Sequence, residues 1–270
     1  MKNKVAPSVS VVIPAHNRKE WIAKALHSAK QQTYSAIVEI IVVDDASVDG
    51  TADFIKTEFP DVVVFVNEQN KGACFSRNKG AEAATGDYIA FLDSDDQFHE
   101  QKIELQMAAM LRENCPLSTC AFEDSAGHII CKKDLSNSNV NRILRYRNCL
   151  GGSSAILILR RLFLEHSFNE EMKAAQDWEF LYRVTKDNPT AHLTQPLYYH
   201  ETESNNRITD SKGSRFFGHS QLYEKHLKDH LASKIIFFFL LGFLKNDNKI
   251  KHGFFQKFYM LTARAFAVFE

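Results

Sequence analysis

The amino-acid sequence predicts an α/β fold: a mostly parallel central sheet flanked by helices, followed by a helical C-terminal appendage. Three observations carry that expectation. Short Val/Ile-rich runs alternate with longer segments of helical spacing through the first hundred residues. Those runs are nearly continuous in apolar residues, as strands covered on both faces are. The last sixty or so residues change character and become aromatic-rich, with interspersed Lys and His.

The first strand is expected at residues 9–13, where Pro14 closes the run VSVVI. A helix over about 18–31 follows, with Trp21, Ala25 and Leu26 on one face. The second strand, 38–43, leads into a helix carrying Ala52, Ile55 and Phe59. The third strand, 62–66, precedes a helix whose small face (Ala73, Arg77, Gly80, Ala81) suits close packing. The fourth strand is 88–92. Strand–helix alternation of this kind builds a parallel sheet with helices on both faces. A helix over 98–112 comes next, with Ile103, Met107, Met110 and Leu111 turned inward. Residues 117–122 and 128–132 read as a hairpin around Ser125-Ala126-Gly127. A strand over 153–159, a helix over 177–186 with Trp178, Leu181 and Tyr182 on one side, and a last strand over 197–200 complete the core. The expected division is a catalytic domain over 1–209 and the appendage over 210–270.

At 270 residues, 44% of them hydrophobic and 24% charged, the chain has material for a substantial core. Lys plus Arg and Asp plus Glu both number 33. That balance lacks the basic excess of a nucleic-acid binder, so no nucleic-acid partner is expected. The 5 cysteines, an odd number without C-x-x-C spacing, read as reduced thiols of a cytoplasmic protein. The N-terminal apolar run is too short for a signal-peptide core. No run reaches the roughly 20 apolar residues of a membrane span.

Ligands of open α/β sheets bind beyond the carboxyl ends of the strands. Those positions hold Pro14-Ala15-His16-Asn17-Arg18, Asp44-Asp45-Ala46-Ser47 and Asp93-Ser94-Asp95-Asp96. Two acidic clusters therefore project from one edge, which is costly unless positive charge lies between them. Carboxylates two apart on a loop can hold a hard divalent cation that bridges nucleotide phosphates. Asp44-Asp45 can accept from a base N–H or from ribose hydroxyls.

Three stretches, VSVVIPAHNR, EIIVVDDASVDGT and NKGACFSRNKGAEAATGDYIAFLDSDD, resemble the signature series of family-2 inverting glycosyltransferases with the GT-A fold. The resemblance covers residues 9–96 almost without gaps and continues more weakly to about 208. It implies roles residue by residue. Pro14, Ala15 and Asn17 match the loop along the nucleoside. Asp45 matches the aspartate that reads uracil, with Asp44 its companion. Arg77 matches a donor-side arginine. Asp93 and Asp95 end the Asp-x-Asp motif, with Ser94 between them placed in the nucleotide site. Asp95 and Asp96 are the expected metal contacts. Ala175-Gln176-Asp177-Trp178 resembles the second acidic motif, in which Asp177 is the general base; Gln176 stands where the family usually has Glu. His200 is placed as a further metal or phosphate contact, and Arg207 in a loop that folds over the diphosphate. The implied cofactor is Mn²⁺ or Mg²⁺, and the implied donor a nucleotide sugar, with UDP favoured. The implied acceptor is a glycan or lipid-linked glycan of a bacterial surface polysaccharide or lipooligosaccharide.

Other classes fit less well. A nucleotidyltransferase would carry a Gly-rich loop with Lys where Pro-Ala-His-Asn-Arg stands, and a dinucleotide oxidoreductase would carry G-x-G-x-x-G. A non-catalytic sugar-nucleotide-binding or scaffold descendant is the remaining alternative, and the Gln176 departure is what suggests it. In the appendage, the apolar run 235–244 interleaves with Lys245, Lys249 and Lys251. Two readings stay open there: an amphipathic surface resting on the cytoplasmic face of the inner membrane, or helices packing on the core or on a second copy.

Overall fold

The computed structural model describes residues 6–135, 139–202 and 218–227. Nine strands form one mixed sheet: β1 (Val9–Ala15), β2 (Ile37–Asp44), β3 (Val63–Val66), β4 (Tyr88–Phe91), β5 (Gln97–Phe98), β6 (Leu117–Asp124), β7 (Ile129–Ile130), β8 (Leu157–Leu159) and β9 (Thr190–His200). Among the described residues, these helices cover it: α1 (Ile22–Lys30), α2 (Thr51–Glu58), α3 (Ala73–Ala83), α4 (Lys102–Glu113), α5 (Val140–Leu144), α6 (Arg160–His166) and α7 (Gln176–Val184).

The strand order is β3-β2-β1-β4-β8-β6-β9-β5, with β7 paired to β6 outside that path. The β3-β2-β1-β4 half is wholly parallel. Beyond β4 the sheet turns mixed: β8 is antiparallel to both β4 and β6, while β6 and β9 run parallel. The alternation of side chains divides the core into two layers. Val12, Ile41, Phe91, Phe163 and Phe180 lie in the layer under α3, α6 and α7. Val11, Ile13, Ile22, Leu26, Ile55, Ile103 and Met107 lie in the layer under α1, α2 and α4. All seven residues of β1 are buried, as its continuous apolar run requires of a central strand. Gly80 lets α3 sit directly on the sheet; a Cβ there would come 2.5 Å from Val12 Cγ1.

Four differences from the sequence reading have local causes. The fourth helix begins at Lys102, because Gln97 and Phe98 pair with Tyr199 and Tyr198 of β9. Leu111 points outward, 55% exposed, one residue round from the buried Met110. Ser153–Ala155 form a 3₁₀ turn before β8, which frees the Ser154 hydroxyl for the loop after β4. The last strand starts at Thr190, because the polar stretch 190–195 pairs with β6 rather than looping.

The described part of the expected appendage, 218–227, ends in one π-helical turn, Tyr223–Leu227. It packs on the loop before α7 and on α7 itself. Gln221 accepts from the Lys173 N–H at 3.0 Å and donates to Glu171 O at 2.8 Å. Lys225 pairs with Glu171 at 2.6 Å, and His226 Nε2 meets Glu179 Oε1 at 2.8 Å. The apolar–basic stretch 235–251 lies outside the described residues. Among the described residues no helix is long and apolar enough to cross a membrane.

Candidate active site

The carboxyl ends of β1, β2 and β4 meet at one edge, where three short loops are laced together. Asn17 adopts a left-handed backbone (φ 53°); its N–H donates to Ser47 Oγ at 2.8 Å, and its Oδ1 accepts from the Val48 N–H at 2.9 Å. His16 Nδ1 lies 2.7 Å from Asp45 O. Ala15 is buried at the end of β1 with Pro14 beside it. Six non-glycine residues have left-handed φ, and three of them (Asn17, Ala46 and Ala175) stand at this edge or at the start of α7. Strained backbone of this kind concentrates where a site has to hold a fixed shape.

The two aspartates after β2 are used differently. Asp45 is buried, with both oxygens committed to the chain. Oδ1 accepts from Asn67 Nδ2 (2.8 Å) and Lys71 N (2.9 Å), and Oδ2 from Gly72 N (2.7 Å). It therefore fixes the loop that opens α3. Asp44 is fully buried, its Oδ1 accepts from Ser47 N at 2.8 Å, and its Oδ2 has no partner. An unpartnered buried carboxylate oxygen is costly.

The acidic loop after β4 carries its own counter-charges. Arg77, buried on α3, donates from Nη2 to Asp93 Oδ1 at 2.6 Å. Arg18 Nη2 lies 3.9 Å from Asp95 Oδ2. Ser94 is buried between them. Asp96 turns inward: Oδ2 accepts from Ser154 Oγ at 2.6 Å, and Oδ1 from His200 Nδ1 at 2.9 Å and the Glu201 N–H at 3.2 Å. Burial raises its carboxyl to about 6, against the pull of His200. Ser154 Oγ also accepts from the Asp93 N–H at 3.0 Å, so one hydroxyl fixes both ends of the loop.

Asp177 stands in the first turn of α7, just after Ala175 in left-handed conformation (φ 54°). Its Oδ2 accepts from Asn148 Nδ2 at 2.8 Å. Burial pushes its carboxyl above the ordinary range, while the Trp178 N–H and Arg77 pull it back. Arg77 Nη1 donates to Gln176 Oε1 at 3.2 Å. A single guanidinium thus ties the acidic loop after β4 to the helix bearing Asp177. Gln176 Nε2 donates to Met172 O at 3.1 Å, a bond that a glutamate could not make.

The structure thus gathers Pro14, Ala15, Asn17, Asp44, Asp45, Arg77, Asp93, Ser94, Asp95, Asp96, Asp177 and His200 around one sheet edge; Arg207 lies outside the described residues. Among the described residues no cluster of three or more His, Cys, Asp or Glu side chains is arranged as a closed metal site. Asp96 spends both oxygens inside the protein; of the other expected metal contacts, Asp95 lies 3.9 Å from Arg18 and His200 is bonded to Asp96. Of that set the Asp95 carboxylate is the hard oxygen donor, and a cation there would take most of its shell from phosphate oxygens and water. Sequence reasoning missed Ser154 and Asn148, each a lone polar residue in no motif, although Gly151-Gly152 marks the bend that aims them.

The profile of glycosyl transferase family 2 matches residues 10–154, more than half the chain. The chain belongs to this family. It is 32% identical over 182 residues to the Escherichia coli UDP-Glc:alpha-D-GlcNAc-diphosphoundecaprenol beta-1,3-glucosyltransferase WfgD, covering 67% of this chain and 70% of that one. The Bacillus subtilis glycosyltransferase TuaG, named for teichuronic acid biosynthesis, is 40% identical over 120 residues; the match spans 43% of this chain and about half (47%) of that protein. The Escherichia coli K12 glycosyl transferase WcaA, named for colanic acid biosynthesis, is 29% identical over 265 residues, with 91% and 90% covered. In fold, this family-2 chain superposes on S. aureus TarS in complex with UDP-GlcNAc with a TM-score of 0.68 at 20% identity, over 91% of this chain and 77% of that one. It superposes on the mannosyltransferase PcManGT of Pyrobaculum calidifontis, in complex with GDP-Man and Mn²⁺, with a TM-score of 0.60 at 16% identity, over 97% and 74%. These likenesses establish the GT-A fold that the sequence leads one to expect.

Proposed function

We propose that the protein transfers a sugar, with inversion, from a nucleotide-diphosphate donor, a UDP-sugar, to a hydroxyl of a glycan or lipid-linked glycan in bacterial surface polysaccharide or lipooligosaccharide synthesis. One observation carries this reading: Arg77 bonds Asp93 at 2.6 Å and Gln176 at 3.2 Å, which sets Asp177 beside the loop expected to face the donor phosphates. The names of WfgD and TarS support a UDP donor, and the diphosphoundecaprenol in WfgD's name supports a lipid-linked acceptor.

In this mechanism Pro14, Ala15, Asn17, Asp44 and Asp45 shape the nucleoside edge. Asp44, buried, braces the turn after β2 through the Ser47 N–H, while Asp45 keeps the loop 67–72 in place. Asp95 and His200 would hold a divalent cation, Mn²⁺ or Mg²⁺, which would supply positive charge to the departing diphosphate. Asp96 orients His200, Ser154 orients Asp96, and Arg207 is assigned to the diphosphate. Asn148 holds Asp177 Oδ2 in place, and the Asp177 carboxylate takes the acceptor proton as the new bond forms. A base so placed contributes about 10²–10⁴ in rate. The assignment of 1–209 as the catalytic unit and of 210–270 as an appendage on the cytoplasmic face of the inner membrane belongs to the same proposal. The non-catalytic alternative loses ground because Gln176 keeps its bond to Arg77 and Asp177 is in place.

The test is calorimetric titration with UDP, GDP and dTDP, each with and without Mn²⁺, on the wild type and on Asp177→Asn. We expect metal-dependent binding of UDP by both proteins, and turnover lowered by about 10²–10⁴ in Asp177→Asn. Full transfer by the variant would remove Asp177 from its role, and binding of none of the three nucleotides would favour the non-catalytic alternative.

A further inference from the structure

Each described arginine but two has a partner for its guanidinium. Arg18 pairs with Asp95, Arg77 with Asp93, Arg112 with Glu113, Arg161 with Glu165 and Arg183 with Glu179. Arg160 donates to Glu82 O, and Arg142 is engaged as well. Among the described residues, Arg145 and Arg147 have neither an ion pair nor a side-chain hydrogen bond. Both are half-buried, and Arg145 Nε is buried without an acceptor. A partly desolvated guanidinium left unpaired costs free energy that an arriving anion would recover.

Their position gives the pair a meaning. The segment 141–148 runs antiparallel to α7. Asn141 Nδ2 donates to Tyr182 O, Trp178 Nε1 to Leu144 O, and Asn148 Nδ2 to Asp177 Oδ2. Arg145 and Arg147 fall between the last two of these contacts, where the segment crosses the first turn of α7. Arg147 and Asp177 both act on the Cys131 thiol, and Arg147 and Lys133 both act on that of Cys149. Lys132 and Lys133 are exposed on the same stretch. Asp134 is the carboxylate of that stretch; it acts on His192 and has a partner of its own. Arg147 and Lys133, which meet at Cys149, and the neighbouring Lys132 thus make this stretch basic in a chain whose formal net charge is zero. It meets Asp177 through Asn148, whereas the acidic loop after β4 meets α7 through Arg77.

We propose that Arg145 and Arg147 form an anion subsite for the acceptor, binding a phosphate group carried near the hydroxyl that Asp177 activates. The proposal rests on the transferase reading above and names the acceptor's chemical class. A guanidinium fork matches phosphate oxygens two at a time, and two arginines with flanking lysines suit a phosphate or diphosphate better than a neutral sugar. The phosphate has two sources, a phosphorylated glycan or an isoprenoid-linked diphosphate, which share this chemistry.

The test uses the full chain saturated with UDP and Mg²⁺, titrated with inorganic pyrophosphate and, separately, with farnesyl diphosphate. We expect one further site for the diphosphate group, weakening with salt. In Arg145→Gln/Arg147→Gln that site should weaken about tenfold or more, the equivalent of one lost charge-assisted contact, while UDP affinity stays unchanged. Arg147→Lys, which keeps the charge but not the fork, should fall between. Equal binding of the two probes would assign phosphate alone, and tighter binding of farnesyl diphosphate would assign the isoprenoid-linked source. UDP binding with no second site, or a second site indifferent to both arginines, overturns the proposal. If no nucleotide binds, the transferase reading fails instead, and arginine-dependent pyrophosphate binding to the nucleotide-free protein still decides the subsite.

Discussion

The two halves of the sheet are held together in different ways. The parallel half, β3-β2-β1-β4, is apolar and closely packed: β1 is buried throughout, and Gly80 brings α3 against Val12 with no room for a methyl group. The mixed half, β8-β6-β9 under α4, contains a polar core. Lys102 is fully buried on α4, with Nζ donating to Gln106 Oε1 at 2.6 Å and standing 4.2 Å from the centre of the Phe98 ring. Gln106 Nε2 in turn donates to Ala155 O at 2.8 Å, next to the Ser154 that fixes Asp93 and Asp96. The first half supplies a rigid edge by shape. The second aims side chains at that edge by hydrogen bonds, and so carries a charge its surroundings disfavour.

The comparison is broken most directly at Lys102. Burial lowers its ammonium from 10.5 to about 8. The unfolded chain therefore binds more protons between those values, and this group makes folding stability rise with pH across that window. The full shift corresponds to about 3 kcal/mol. Lys102→Met should lack that rise, as read from urea unfolding of both proteins at pH 7 and pH 10. Equal slopes would mean that Lys102 is hydrated in solution. At the other half, Gly80→Ala should cost about 1–3 kcal/mol by overpacking, with no pH dependence of its own. A melting temperature within a degree of wild type would show that α3 shifts freely on the sheet.

Much of the rigid half was legible in the sequence, because buried parallel strands announce themselves as apolar runs and their carboxyl ends as motifs. All four runs became strands there. The mixed half was harder to read. The extra residues of β9, 190–196, are Thr-Ala-His-Leu-Thr-Gln-Pro, a short alternation without an apolar run that ends in a proline, and pairing with β6 is what extends the strand through them. The motifs name the residues that gather at the sheet edge, whereas Ser154, Asn148 and Gln106 act through contacts 58, 29 and 49 residues away in sequence. The motifs also could not show that Asp45 and Asp96 spend their oxygens inside the protein while Asp44 keeps one unpartnered.

The smallest expected effect sharpens the comparison where the halves meet. Asp177 is held above the ordinary carboxylate range, and the proposed general-base role requires it ionised, so turnover should fall as pH drops through its raised value. Gln176→Glu adds a carboxylate beside Arg77 and next to Asp177. It should move that acid limb to higher pH by about one unit or less, a difference of about 1 kcal/mol between protonation states. A pH–rate profile unchanged by the substitution would show that Arg77 absorbs the new charge.

The bond between His200 and Asp96 spans 104 residues of sequence, and that distance orders events during synthesis. As the chain leaves the ribosome, β1, β2 and β3 can pair with their sequence neighbours and β4 then adds to β1, all before residue 92 is passed, so the rigid edge can form early. The acidic loop then waits, its Asp96 open to water, until β9 has been made and His200 arrives. Asp177 on α7 emerges only shortly before that strand. A nascent chain paused before residue 190 would carry a finished β1–β4 edge and an unfinished acidic loop, so the last of the described strands is what completes that loop.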